Sequence, residues 1–141
     1  MEAMIPDALS GEKSAGVDLV IRELQQASFG SRALDGQIAY LLGWERRSYP
    51  YVDKKSGNRS ERVFWVNPGT ADPDKVPRYT TNLQSAYELG NQILPTLVCA
   101  VTWGEARGNA SVENGNRKVD VAASNAPLAL CIAILSACKP G

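Results

Sequence analysis

The sequence predicts a mixed α/β domain, an α/β/α sandwich made of antiparallel β-hairpins with a buried C-terminal helix. Three features lead to this fold class. Ten residues run without a polar interruption from Ala126 to Leu135. A helix apolar on every side must be covered over most of its surface. Two polar, glycine-containing stretches, Asp53 to Ser60 and the one around Asn114-Gly115, lie between runs of β-branched and aromatic residues, which is the pattern of hairpins. The remaining apolar positions recur at helical spacing. Hairpins build antiparallel sheets, and helices then cover their faces.

The elements follow in order. Residues 1–15 mix Glu2, Pro6, Asp7, Gly11, Glu12 and Lys13. They hold no apolar h-region and read as a flexible N-terminal tail, not a signal peptide. A single domain over 16–141 is expected to follow. Val17, Val20, Ile21 and Leu24 mark a first helix that ends near Ser28 to Gly30. Ser31 can cap a second helix carrying Leu34, Ile38, Leu41 and Leu42, with Gly43 as its stop and Trp44 closing the core. Arg46 to Val52 and Val63 to Val66 read as strands of one hairpin. Residues 71–77, with Pro73 and Pro77, read as an irregular connection.

Thr80, Thr81 or Asn82 can cap a third helix whose inner face holds Leu83, Ala86, Leu89 or Gly90, and Ile93. Thr96 to Trp103 is the most β-branched stretch and reads as a strand. Another strand covers about Arg117 to Ala123, and Glu105 to Ser111 is either a long loop or a short strand. Asn125 stands at the N-cap of the last helix, and Pro127 sits in its first turn, where a missing N–H costs nothing.

Composition excludes several chemistries. A chain of 141 residues suits one domain with one core. Lys+Arg and Asp+Glu both number 15, so a general nucleic-acid binder is not expected, although a local basic pocket is allowed. The absence of histidine removes Ser-His-Asp and Cys-His catalysis and the commonest zinc ligand. Cys99, Cys131 and Cys138 show no C-x-x-C spacing and read as reduced, packed thiols of a cytoplasmic protein. The apolar terminal run is short of the ~20 residues that a bilayer span needs. No cofactor, no metal site and no catalytic residue is expected, and neither a membrane nor a long nucleic acid is an expected partner.

Two stretches carry candidate binding chemistry. In Arg78-Tyr79-Thr80-Thr81-Asn82 a helix N-terminus offers unpaired N–H groups and a partial positive charge. Arg78 would add a bidentate donor, and Tyr79 a stacking face. The alternative is an ordinary cap beside a core tyrosine. In the second stretch Trp103 and Arg107 pair an aromatic ring with a guanidinium, as a nucleotide with phosphates requires. Asn114, Asn116, Arg117 and Lys118 lie on the same hairpin and could read ribose or base edges. The alternative is a solvated loop with Trp103 at a sheet edge. Arg46, Arg47, Lys54, Lys55, Arg59 and Arg62 interleave with Tyr49, Tyr51, Phe64 and Trp65. Taken alone, this looks like a nucleic-acid or anionic-ligand strip, but a charged hairpin with its aromatics facing the core is the favoured reading. Glu105, Glu113 and Asp120 do not form a convincing hydrolytic pair.

Three blocks, Gly30 to Trp44, Pro77 to Ala86 and Ala126 to Leu135, resemble the phage ABA sandwich family. The shared signs are a leucine-aspartate helix, a Tyr-Thr helix start and an Ala-Leu-Ala-Leu-Cys ending. Asn82 departs from the serine more usual there, and asparagine caps equally well. The resemblance implies an α/β/α sandwich of viral origin. It also points toward small phage proteins of the Thoeris anti-defence type, which act as sponges for cyclic ADP-ribose signals. The expected function is therefore a phage anti-defence protein that sequesters a nucleotide immune messenger, a cyclic ADP-ribose variant or cyclic oligonucleotide, without turnover. Its ligand-binding residues, taken from the chemistry of the two stretches and not from the resemblance, would be Arg78, Tyr79, Thr80, Asn82, Trp103, Arg107, Asn116 and Arg117. A homodimer or higher homo-oligomer in the bacterial cytoplasm is expected. The rivals are an adaptor that binds a host protein or a virion part, and a small nucleotide hydrolase.

Overall fold

The computed structural model describes residues 14–138. Four helices, α1 (Ser14–Gln26), α2 (Arg32–Leu41), α3 (Leu83–Ile93) and α4 (Ala126–Cys138), accompany two three-stranded antiparallel sheets. The first sheet comprises β1 (Glu45–Val52), β2 (Arg59–Val66) and the two-residue β3 (Pro73–Asp74); the second comprises β4 (Val98–Gly104), β5 (Arg107–Asn114) and β6 (Arg117–Ala123). The mixed α/β class, the antiparallel hairpins and the buried terminal helix are all present. The tail read over 1–15 lies outside the described residues up to residue 13; Ser14 and Ala15 already belong to α1.

Helix α4 is the centre of the packing. The β4–β6 sheet lies on one side of it, and α3 and α1 on the other. From Leu128 to Leu135 every side chain is buried. This is how a helix with no polar stripe is accommodated. The sheet shows period-two alternation. Cys99, Val101, Ala110, Val112, Val119 and Val121 face the core, while Ala100, Thr102, Asn109, Lys118 and Asp120 face solvent. Asp120 accepts a hydrogen bond from Ser111 on that outer face.

Local signals place the helix ends. The Asn125 side chain accepts from Leu128 N at 2.7 Å, and Ser31 Oγ accepts from Leu34 N at 3.2 Å. Gly43 stops α2 at a φ of 96°, and the buried Trp44 turns back to donate its N–H to Ala39 O. Of the three possible caps for α3, Asn82 is the one used; its side chain accepts from Ser85 N. Residues 105–111 are not a long loop. A turn at Glu105–Ala106 leads straight into β5. The β5–β6 turn is Gly115–Asn116, one residue later than Asn114-Gly115, because Asn114 pairs with Arg117. Gly115 takes the positive φ of 65° that such a turn needs.

The β1–β2 hairpin corrects the favoured reading. Its aromatics do not face the core along its length. All eight residues of β1 are exposed, and β2 sinks only at its end, through half-buried Phe64 and Trp65 to buried Val66. The hairpin is an arm held at its base.

Candidate functional site

The two stretches singled out as binding candidates have different fates. In the first, Tyr79 and Thr80 are buried. Thr80 N–H donates to Asp35 Oδ1 at 2.8 Å, and its hydroxyl lies 2.7 Å from the same oxygen. Ser31 N–H donates to that hydroxyl at 2.9 Å. Arg32 completes the node. It donates to Asp35 Oδ2 at 2.9 Å and to Val76 O at 2.8 Å. The buried carboxylate is thus paired with a guanidinium and hydrogen-bonded on both oxygens, which is how a buried charge is tolerated. The close approach explains Gly30: a β-carbon there would collide with the Thr80 carbonyl.

Tyr79 therefore offers no stacking face, and Thr80 no donor to a ligand. The Tyr79 carbonyl accepts from Cys131 Sγ, on α4, at 3.2 Å. Burial pushes the Tyr79 phenol and the Cys131 thiol far above their ordinary values. Arg78 is exposed, and Asn82 is occupied as a cap. For Tyr79 and Thr80 the phosphate-site expectation is corrected; the ordinary cap beside a core tyrosine is what forms.

The second stretch divides. Trp103 pairs with Gly108 at the β4–β5 turn, whereas Asn116 and Arg117 lie at the opposite end of β5, about 20 Å away at ~3.4 Å per residue. Arg117 is half-buried, and its charge opposes the rise of the Cys138 thiol, which burial nonetheless pushes up to about 11. Within one copy, Asn116 and Arg117 thus do not share a small ligand with Trp103.

Trp103 and Arg107 do share a concavity, of about 350 Å³. Thr81 and Leu83 from the start of α3, and Ser124 to Pro127 from the start of α4, form its other walls. Trp103 is on the sheet face that covers α4, but it overhangs the first turn of that helix and is 69% exposed. Gly108 lets the sheet come this close, since a β-carbon there would strike the backbone of Asn125 and Ala126.

The concavity has a partial positive potential. Two helix N-termini line it, each carrying about half a positive charge, and Arg107 lies at its edge. Asn125 already satisfies Leu128 N, and Pro127 has no N–H, so few α4 donors remain. The Ser124 hydroxyl is buried and lacks a hydrogen-bond partner. Ala106, in the turn that carries Arg107, sits at a φ of 57°. This left-handed strain costs a residue with a β-carbon on the order of 1–2 kcal/mol. Strain of this kind gathers at functional sites.

The sequence alone did not reveal Thr81, Ser124 or Asn125 as neighbours of Trp103. Their signals are helix caps, and nothing local says that two caps meet. A larger groove, of about 690 Å³, lies between α2 and the base of the arm, with Gln37, Tyr40, Arg46 and Trp65 among its walls. Its other guanidinium, Arg32, is already committed to Asp35 and the Val76 carbonyl. Among the described residues no group of three or more Cys, Asp or Glu side chains could hold a metal ion, and no helix is long and apolar enough to cross a membrane. Comparison with family profiles, with curated proteins and with solved structures gave no match.

Proposed function

We propose that this protein is a phage anti-defence binder that sequesters an anionic nucleotide signal of host immunity without turning it over. The observation that carries the reading is the convergence of the α3 and α4 N-termini on the concavity of Arg107 and Trp103. Phosphate would sit against Arg107 and the helix ends, and a base would stack on the indole. The Ser124 hydroxyl would gain the partner it lacks. The viral setting and the choice of an immune messenger, a cyclic ADP-ribose variant or a cyclic oligonucleotide, rest on the resemblance of the three sequence blocks to the phage ABA sandwich family.

A volume of about 350 Å³ is at the small end of ligand sites, which run ~300–1,000 Å³. Tight sequestration of a whole cyclic nucleotide therefore requires a second copy to close over the exposed Trp103, which makes the working form a homo-oligomer. Asp120 does not support hydrolysis; it is bonded to Ser111 on the outer sheet face.

Titration calorimetry with cyclic ADP-ribose isomers and cyclic oligonucleotides tests the proposal, followed by recovery of the ligand from denatured complex. Intact ligand supports sequestration. Hydrolysed ligand supports the hydrolase, and no binding by any candidate leaves the adaptor role.

A further inference from the structure

We propose that the β1–β2 arm binds single-stranded nucleic acid along one face. The proposal does not rest on the Trp103–Arg107 concavity. The register decides which side chains share a face. Tyr51 lies opposite Ser60, Tyr49 opposite Arg62, and Arg47 opposite Phe64. Directly opposed residues point the same way. One face therefore carries Arg47, Tyr49, Tyr51, Arg62 and Phe64, with rings and guanidinium groups alternating.

These groups are ordered among themselves. The Arg62 guanidinium carbon lies 4.2 Å from the centre of the Tyr51 ring, and the Tyr49 and Phe64 rings are 6.1 Å apart. Arg47 is shared with Glu45 at the base. Among the described residues no other element covers Tyr49 and Tyr51, which are 50% and 37% exposed. A two-stranded ribbon wet on both sides is marginal in water, so a partner laid along it would also stabilise it.

Charge and spacing select the partner. Residues 45–66 hold six basic side chains (Arg46, Arg47, Lys54, Lys55, Arg59, Arg62) against three acidic ones (Glu45, Asp53, Glu61), a local excess of three that the neutral whole conceals; Arg47, Arg62 and Glu45 lie on the ring face, and the others on the opposite face or at the tip. Successive same-face rows of a strand are ~6.8 Å apart. That is about twice the ~3.4 Å between stacked bases, so a base enters between rows when Arg62 swings from the Tyr51 ring to a phosphate. Rings need the π-face of a base, and only an unpaired strand presents it. A protein strand added at the edge is disfavoured, because Pro50 on β1 lacks the N–H that such pairing uses.

The test uses the full chain and fluorescence anisotropy with a short labelled oligothymidylate, its same-length duplex and a salt series. The single strand should bind more tightly than the duplex, with affinity falling as salt rises. Tyr49→Ala with Tyr51→Ala should weaken binding by about tenfold or more. Tyr49→Leu with Tyr51→Leu, which keeps apolar bulk and removes the ring, should weaken it similarly if the first pair disturbs folding. Arg62→Ala should reduce the salt slope by about 0.7, one phosphate contact. Tyr87→Ser, at an exposed position on α3, should leave oligothymidylate binding unchanged. Equal binding of the duplex, or wild-type affinity in both ring variants, would overturn the proposal. So would sedimentation showing a dimer that the ring variants convert to monomer, since the arm would then cover a second copy.

Discussion

Two polar regions of this molecule use the same residue types to opposite ends. Around Asp35, the side chains of Arg32 and Thr80 and the backbone of Ser31 and Thr80 satisfy one another in the interior. Around Arg107, the exposed Trp103 and the starts of two helices line an open concavity whose wall includes Ser124, with its buried, unpartnered hydroxyl. The difference is whether the donors are already spent. A saturated cluster holds the fold and has nothing left for a ligand; an unsaturated one at a positive pair of helix ends does. The comparison also explains the three sequence blocks. The first and second meet at Asp35–Thr80, and the second and third at Tyr79–Cys131. What they have in common is the assembly of the core.

The comparison can be broken most directly at Asp35. Asp35→Ala strips the partner from the buried Thr80 N–H and from Arg32. Loss of one member of a buried, hydrogen-bonded charge pair costs about 3–5 kcal/mol. Urea unfolding followed by circular dichroism should show that loss; a change under about 1 kcal/mol would mean that water replaces the carboxylate and that the node is not closed.

Alkaline pH probes the same interior. Cys138 is held protonated up to about 11, from an ordinary thiol value of 9.0. Cys131 and Tyr79 are shifted in the same direction. The unfolded chain loses these protons first, so above pH 9 it gains stability relative to the fold. Stability should be at its full value below pH 9 and fall through pH 11. Cys138 alone accounts for on the order of 2–3 kcal/mol at ~1.4 kcal/mol per unit. A melting temperature unchanged from pH 8 to pH 11 would contradict this.

At the open region the effect should appear in binding. Arg107→Ala should weaken nucleotide affinity by about 1.5–3 kcal/mol, the worth of a charged hydrogen bond. It should shift folding stability by less than about 0.5 kcal/mol. Arg78→Ala, which alters an exposed arginine that does not line the concavity, should leave affinity unchanged. Equal losses from both variants in calorimetry would move the site away from Trp103. The smallest effect is expected for Tyr87→Ser, an exposed position on α3, at about 0.5 kcal/mol or less in the urea midpoint analysis.

Much of this protein was legible before its structure. Gly43 stopped α2, and Ser31 and Asn125 supplied their caps, because caps and stops are local chemistry. The buried α4 could be read from Ala126 to Leu135, because a run without a polar residue has only one economical environment. The turn near Asn114 was misplaced by one residue, since register depends on the partner strand as well as on the turn residues. The exposure of Tyr49 and Tyr51 was misjudged for a related reason. Alternation tells which side chains share a face, and says nothing about whether another element covers it.

Sequence alone therefore determined the helices, the hairpins and the apolar terminal rod, because propensity, capping and periodicity act within a few residues. Only the tertiary structure decided that Thr80 belongs to Asp35, that Trp103 overhangs the starts of two helices, and that the first hairpin stands free. Each of these depends on a contact between distant parts of the chain, and the whole packing, not the local pattern, selects which contacts form.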